Sequence, residues 1–481
     1  KNCKKNTFQY RLKRRNIINN NLNNNTNNVT SNPLYYEKIH KLLFKYATPS
    51  VISMLVGSLY NIVDQVFIGR GVGIYGNAAT NVAFPLTTIC VSISLFLGLG
   101  GASIYSISLG QGNKKKAADI IGNTIILAIA FSVIFSIVVR IFVRKFMIIF
   151  GATQDVLQYA IDYTSVTSIG FLPFVFSTVM SHIIRADGSP KYAMFSVSIG
   201  AIANIILDPI FIFKFNMGIS GAALATIIGQ FISFFITLRY VFNFKNITFN
   251  RYSFILYSEN VRKIFILGAS GGINQFSMMV VQITMNNVLS YYGAKSIYGG
   301  NIPLAVSGII AKINMLIMAF IIGSGQGSQP ILGFNYGAKN YDRVIETYKL
   351  TVTITSIIAF ISFLIFQIFP RQVVSIFGDG SELYFHFAER YMRIYMALMI
   401  VNGVQPVSGT FFTSIGKGIK GAFIAMTRQL IFLLPLIIVL PRFFGIDGLM
   451  YAGPIADGIA LIVTIIFISF EIKKIKSLKP I

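Results

Sequence analysis

Two aspartates, Asp64 and Asp208, sit inside apolar stretches that carry almost no other charge. Each has a polar residue one helical turn before it: Tyr60 precedes Asp64 in LYNIVDQVF, and Asn204 precedes Asp208 in ANIILDPIF. Residues four apart on a helix share a face, so each pair presents its oxygens in one direction. A carboxylate in hydrocarbon costs about 3 kcal/mol on insertion scales, so it persists where it binds an ion, relays a proton or meets a substrate charge. Thr226, in GAALATIIGQ, adds a hydroxyl if the helices meet. Two neighbouring carboxylates in a dry site cannot both ionise cheaply, so such a set suits H+ or Na+. Taken alone, Asn204 and Thr226 read as interhelical packing groups, and Asp208 as a partner for backbone freed at Pro209. No Lys or Arg in the first apolar stretch neutralises Asp64.

The elements that must position these groups are membrane helices. Of 481 residues, 54% are hydrophobic and only 12% charged, about half the charge of a soluble protein. About twelve segments reach the length of roughly 20 residues that a spanning helix needs. They are expected near 46–69, 79–109, 118–143, 156–182, 193–213, 219–242, 260–292, 301–325, 344–369, 384–414, 419–441 and 448–471. The formal charge of +25 is concentrated at the ends of these spans. That is the pattern of cytoplasmic loops rather than of a nucleic-acid surface. An even number of spans, with Lys38, Lys41 and Lys45 at one end and Lys473, Lys474 and Lys476 at the other, puts both termini in the cytoplasm. A multi-pass protein of the plasma (inner) membrane is expected, with lipids as its surroundings. Residues 1–33 form an Asn-rich tail too polar to fold, and the sequence opens on Lys rather than Met, which suggests an incomplete start. LYYEKIHKLLFKYA, after the tail, has the pattern of a short interfacial amphipathic helix. Cys3, Cys90 and three scattered histidines support neither a disulfide framework nor a shared metal site.

The two halves repeat. GLGGAS (98–103) is matched by GSGQGS (323–328), Gly112 by Gly337, IFG at 149–151 by IFG at 376–378, Gly188 by Gly416, and GISGAALA (218–225) by GIDGLMYA (445–452). Six spans per half is even, so both halves enter from the same side, related by an axis along the membrane normal with a cavity between them. This gives an N-lobe over 34–242, a cytoplasmic linker over 243–259 and a C-lobe over 260–475.

YNIVDQVFIG (60–69), NAATNVAFPLTT (77–88), RADGSPKYA (185–193), NIILDPIFI (204–212), GISGAALAT (218–226), GSQPILGFNYGAKN (327–340) and RQLIFLLPLI (428–437) together resemble the multidrug and toxic compound extrusion (MATE) family, in its DinF/MepA-like bacterial branch. The resemblance runs from about residue 37 to 475. It implies an all-α membrane protein of twelve helices in two lobes around a central cleft, with alternating access driven by H+ or Na+. It also implies a cation site at Asp64, Tyr60, Asn204, Asp208 and Thr226, and a bending role for Pro49. From sequence alone Pro49 reads as well as a first-turn proline. A second branch of the family carries cation carboxylates on its seventh and tenth helices; here the seventh span has no acid and the tenth only Glu389.

Gln275, Gln282, Asn286 and Asn287 put amides along the seventh span, suited to lining the cleft or to bonding between helices. Lys312 and Asp457 are opposite charges at membrane depth and are expected to form a buried pair, while Arg428 is expected to anchor near the cytoplasmic face. The leading reading is a monomeric antiporter, without cofactor, that exports amphipathic and often cationic organic compounds. The alternative is a lipid-linked oligosaccharide flippase, which would need a cationic cleft that the first two spans lack. No residue set forms a recognisable catalytic arrangement, so an enzyme is not expected.

Overall fold

A computed structural model of the protein describes residues 29–376 and 380–478. Most of the expected tail, with Cys3, and the end of the second IFG motif lie outside the described residues. The chain is all-helical there, with eleven helices long and apolar enough to cross a membrane, or twelve when one bent pair is joined. We number them α1 (Ile39–Gly71), α2 (Ile74–Gly110), α3 (Lys114–Ile149), α4 (Gln154–Ala186), α5 (Pro190–Lys214), α6 (Gly218–Val241), α7 (Ser258–Ala294), α8 (Asn301–Gly337), α9 (Tyr341–Ile368), α10 (Glu382–Tyr395 with Met399–Ser414), α11 (Gly418–Phe444) and α12 (Ile446–Ser477). A multi-pass membrane protein follows from this architecture.

The segment LYYEKIHKLLFKYA does not form a separate interfacial helix. Only Pro33–Tyr36 is a short helix; Ile39 onward is already α1, and Leu42, Leu43 and Tyr46 are buried. Their apolar side chains pack into the protein core, which outweighs any gain from a surface position. Pro49 accordingly stands well inside α1 rather than in its first turn.

The repeat is visible in the backbone. Left-handed residues recur about 227 positions apart: Gly188 (φ 89°) with Gly416 (81°), Gly218 (57°) with Gly445 (58°), and Gly112 (71°) with Lys339 (60°). The backbone counterpart of Gly112 is thus Lys339, two residues beyond the Gly337 that the sequence comparison matched. Buried side chains form one cluster chiefly within α1–α6 and another within α7–α12.

The two lobes touch along small residues. A Cβ on Gly110 would lie 2.0 Å from Phe334 O, and one on Gly337 would lie 2.2 Å from Ile107 O. This contact of α2 with α8 is reciprocal, as a pseudo-two-fold axis between them requires. Likewise Gly268 of α7 lies against Phe96 of α2, and Gly327 of α8 against Ala47 of α1. Polar bonds reinforce the contact: Gln329 Nε2 donates to Leu99 O (3.0 Å) and Ser103 Oγ (2.8 Å), and Arg185 Nη1 to Gln326 Oε1 (3.2 Å). Away from this end the helices part. The face of α7 that is buried at Gly268 and Gly272 is exposed at Gln282 and Asn286. That of α8, buried at Gly323 and Gly327, is exposed at Ala305.

Candidate functional site

Asp64, Asn204 and Asp208 converge inside the first lobe, and all three are buried. Glycine sets how closely their helices approach. Gly200 of α5 and Gly229 of α6 lie backbone against backbone, with a Cβ on Gly200 only 2.4 Å from Gly229 O. A Cβ on Gly71 of α1 would sit 2.1 Å from Ile212 Cγ2 in α5. Small residues at both contacts permit this spacing. Asn204 Nδ2 thereby donates to Asp208 Oδ1 (3.2 Å) and to Thr226 Oγ1 (3.3 Å). Just beyond Asp208, Pro209 lacks an N–H and Ile210–Lys214 form a π-turn, a local widening common at functional positions.

The carboxyls of Asp64 and Asp208 lie within hydrogen-bonding reach of one another. Asp64 Oδ1, Asp208 Oδ2 and Asn204 Oδ1 are buried and receive no hydrogen bond. One buried oxygen on each of the three side chains thus lacks a donor, and neither acid has an ion-pair partner among the described residues. Burying such acceptors without a partner is costly, and a proton or a cation would satisfy them. Tyr60 and Tyr163 lie within electrostatic reach of both acids. Tyr163, in α4, was not singled out from sequence. No local pattern revealed that α4 packs beside this cluster.

The expected Lys312–Asp457 pair does not form. Asp457 of α12 is instead bonded by Arg428 Nε of α11 at 2.5 Å and by Asn402 Nδ2 at 3.3 Å. Arg428 is thus not an anchor at the cytoplasmic face. It lies in a π-helical stretch, Thr427–Leu433, with its side chain mostly buried beside Asp457. Its planar fork suits a buried carboxylate better than a lysine would. Lys312 has no ion pair among the described residues and is half-buried.

On α7, Gln275, Gln282 and Asn286 follow Gly268 by about two, four and five full turns, so they share its inter-lobe face. Asn287 is turned to the side of it. Gln282 Nε2 donates to Asn286 Oδ1 at 2.9 Å.

The MatE family model matches residues 49–210 and 272–439. The chain belongs to the MatE family. The two matched stretches fall one in each half of the fold. Among MatE relatives, the Multidrug export protein MepA of Staphylococcus haemolyticus (strain JCSC1435) is 23% identical over 427 residues, covering 88% of this chain and 92% of its own. MepA of Staphylococcus aureus (strain N315) is 23% identical over 437 residues, covering 90% and 95%. The fold is also that of an outward-facing multidrug resistance MATE transporter of the MOP superfamily, with a TM-score of 0.86 at 23% identity, over 93% of this chain and 98% of that one.

Proposed function

We propose that this protein is a cation-coupled antiporter that exports amphipathic organic compounds in exchange for inward H+ or Na+. The observation that carries this reading is a buried pair of acids, Asp64 and Asp208, each keeping one oxygen that receives no hydrogen bond, set in a membrane transporter fold. The names of the MepA relatives support multidrug export as the direction and cargo. An ion entering the oxygens from Asp64, Tyr60, Asn204, Asp208 and Thr226 removes the repulsion between the two carboxylates. It draws α1 toward α5 and α6, and so alters the surface that the N-lobe (34–242) offers the C-lobe (260–475). Alternating access follows if that change separates the lobes at the end they now close, with the linker 243–259 as tether. In the proposed orientation both termini face the cytoplasm across the plasma membrane, and the protein works as a monomer without a bound cofactor.

The test is dye efflux from proteoliposomes under separately imposed H+ and Na+ gradients. One gradient should drive efflux, and Asp64→Asn should lower the driven rate at least about tenfold, the loss expected when a key ion ligand is neutralised. Full driven efflux by folded Asp64→Asn protein would refute the coupling site.

A further inference from the structure

The charge left over from the second lobe has a place of its own. Lys312 precedes Gly323 by about three full turns of α8, so it lies on the same face. Gly323 meets Val51 of the opposite lobe, with a Cβ there 2.7 Å from Val51 Cα. Lys312 therefore faces the space between the lobes, beyond the point where they close. Counted from Asn301, it stands about 17 Å along α8, roughly halfway through a 30 Å hydrocarbon layer. An ammonium at that depth without a counter-ion is tolerated only where water reaches it. The buried acids of the second lobe, Asp457 and Glu471, are already paired with Arg428 and with Lys417 and Lys420. Asp64 follows Val51 by about three and a half turns of α1, so it points away from the cleft into its own lobe. Beside Lys312, across the same opening, α7 presents Gln275, Gln282 and Asn286.

We infer that Lys312 is a substrate-binding residue on the C-lobe wall, selecting organic compounds that carry a carboxylate or another anionic group, zwitterions included. Its ammonium donates to the anionic group in a charge-assisted bond, and the α7 amides bond to neutral polar groups of the same molecule. The inference rests on the proposed export reading for its meaning in transport, but the binding itself needs no gradient.

Matched dyes separate the two claims. Rhodamine B carries a free carboxylate, and its ethyl ester does not. In fluorescence-polarisation titrations of the purified full-length protein, rhodamine B should bind more tightly than the ester. Lys312→Met should weaken rhodamine B by about tenfold, the scale of one charge-assisted bond, and leave the ester unchanged. Lys312→Arg should keep the preference, and Lys312→Glu should invert it. Equal binding of the two dyes by the unaltered protein, binding of neither, or a preference that survives Lys312→Met overturns the inference. If the preference appears but neither gradient drives efflux of either dye, export fails and the binding residue stands. If efflux is driven while Lys312→Met changes no preference, the reverse holds.

Discussion

Among the described residues no basic side chain pairs with Asp64 or Asp208, whereas Asp457 is held by a guanidinium and an amide. The same residue type therefore serves opposite ends in the two lobes. An acid already paired with Arg has little left to offer an ion; a pair of unneutralised acids must take one. The proposed coupling therefore belongs to the first lobe. Removing Arg428 should then be a stability lesion rather than a coupling lesion, because it strands a buried carboxylate. Breaking a buried pair from one side costs about 3–5 kcal/mol, and replacing both partners by apolar residues is often neutral. Arg428→Met should lower the thermal unfolding midpoint in detergent, and adding Asp457→Leu should recover most of it. If the single variant melted like the unaltered protein, the pair would not be the structural element described here.

At the scale of elements, the helical ladder of α1 is weakened about a third of the way along. Pro49 deprives Lys45 O of its helical donor, and Ser50 Oγ and Ser53 Oγ donate back to Tyr46 O (2.7 Å) and Pro49 O (2.9 Å). Such back-bonding loosens the helical ladder, and an interior proline costs about 3 kcal/mol. Pro49→Ala should therefore raise the unfolding midpoint while slowing gradient-driven efflux several-fold; a variant that is no more stable, or that transports at the full rate, would remove Pro49 from the mechanism. How legible such features were depended on their range. The twelve spans, the two halves and the Tyr60/Asp64 and Asn204/Asp208 pairs follow from hydrophobic length and from residues four apart, which are local properties. The bend of 56° in α10 was not read as a break. The break falls at Met396–Leu398, an apolar stretch with no Gly or Pro to mark it. Partner choice was the least legible. Asp457 was matched with Lys312 by depth, whereas Arg428, expected near the cytoplasmic face, is the cation that α11 packs against it.

Across the whole molecule, the contact between lobes brings backbone close to backbone, with glycine where the helices cross and a few polar side-chain bonds beside it. Gly110 and Gly337 are each within about 2 Å, measured from a built Cβ, of a carbonyl on the opposite lobe. A carbonyl in a helix cannot swing aside as a side chain can, so an added methyl must separate the lobes or strain both helices. The turns beside this contact carry Lys114, Lys115 and Lys339, which places it at the cytoplasmic face in the proposed orientation. Gly110→Ala with Gly337→Ala should therefore open this end without touching the acid cluster. Spin labels at positions 115 and 339, measured by pulsed electron paramagnetic resonance, should report a longer or broader distance in the double variant. Gly57→Ala provides the control: a Cβ there has nothing within 4 Å, so the label distance should not change. An unaltered distance in the double variant would mean that this end yields by local distortion of α2 and α8, and that closure is not controlled by how tightly these glycines meet. A longer distance accompanied by faster dye exchange from the cytoplasmic side would tie the contact directly to access, because wedging it apart supplies by steric force the separation assigned to ion binding.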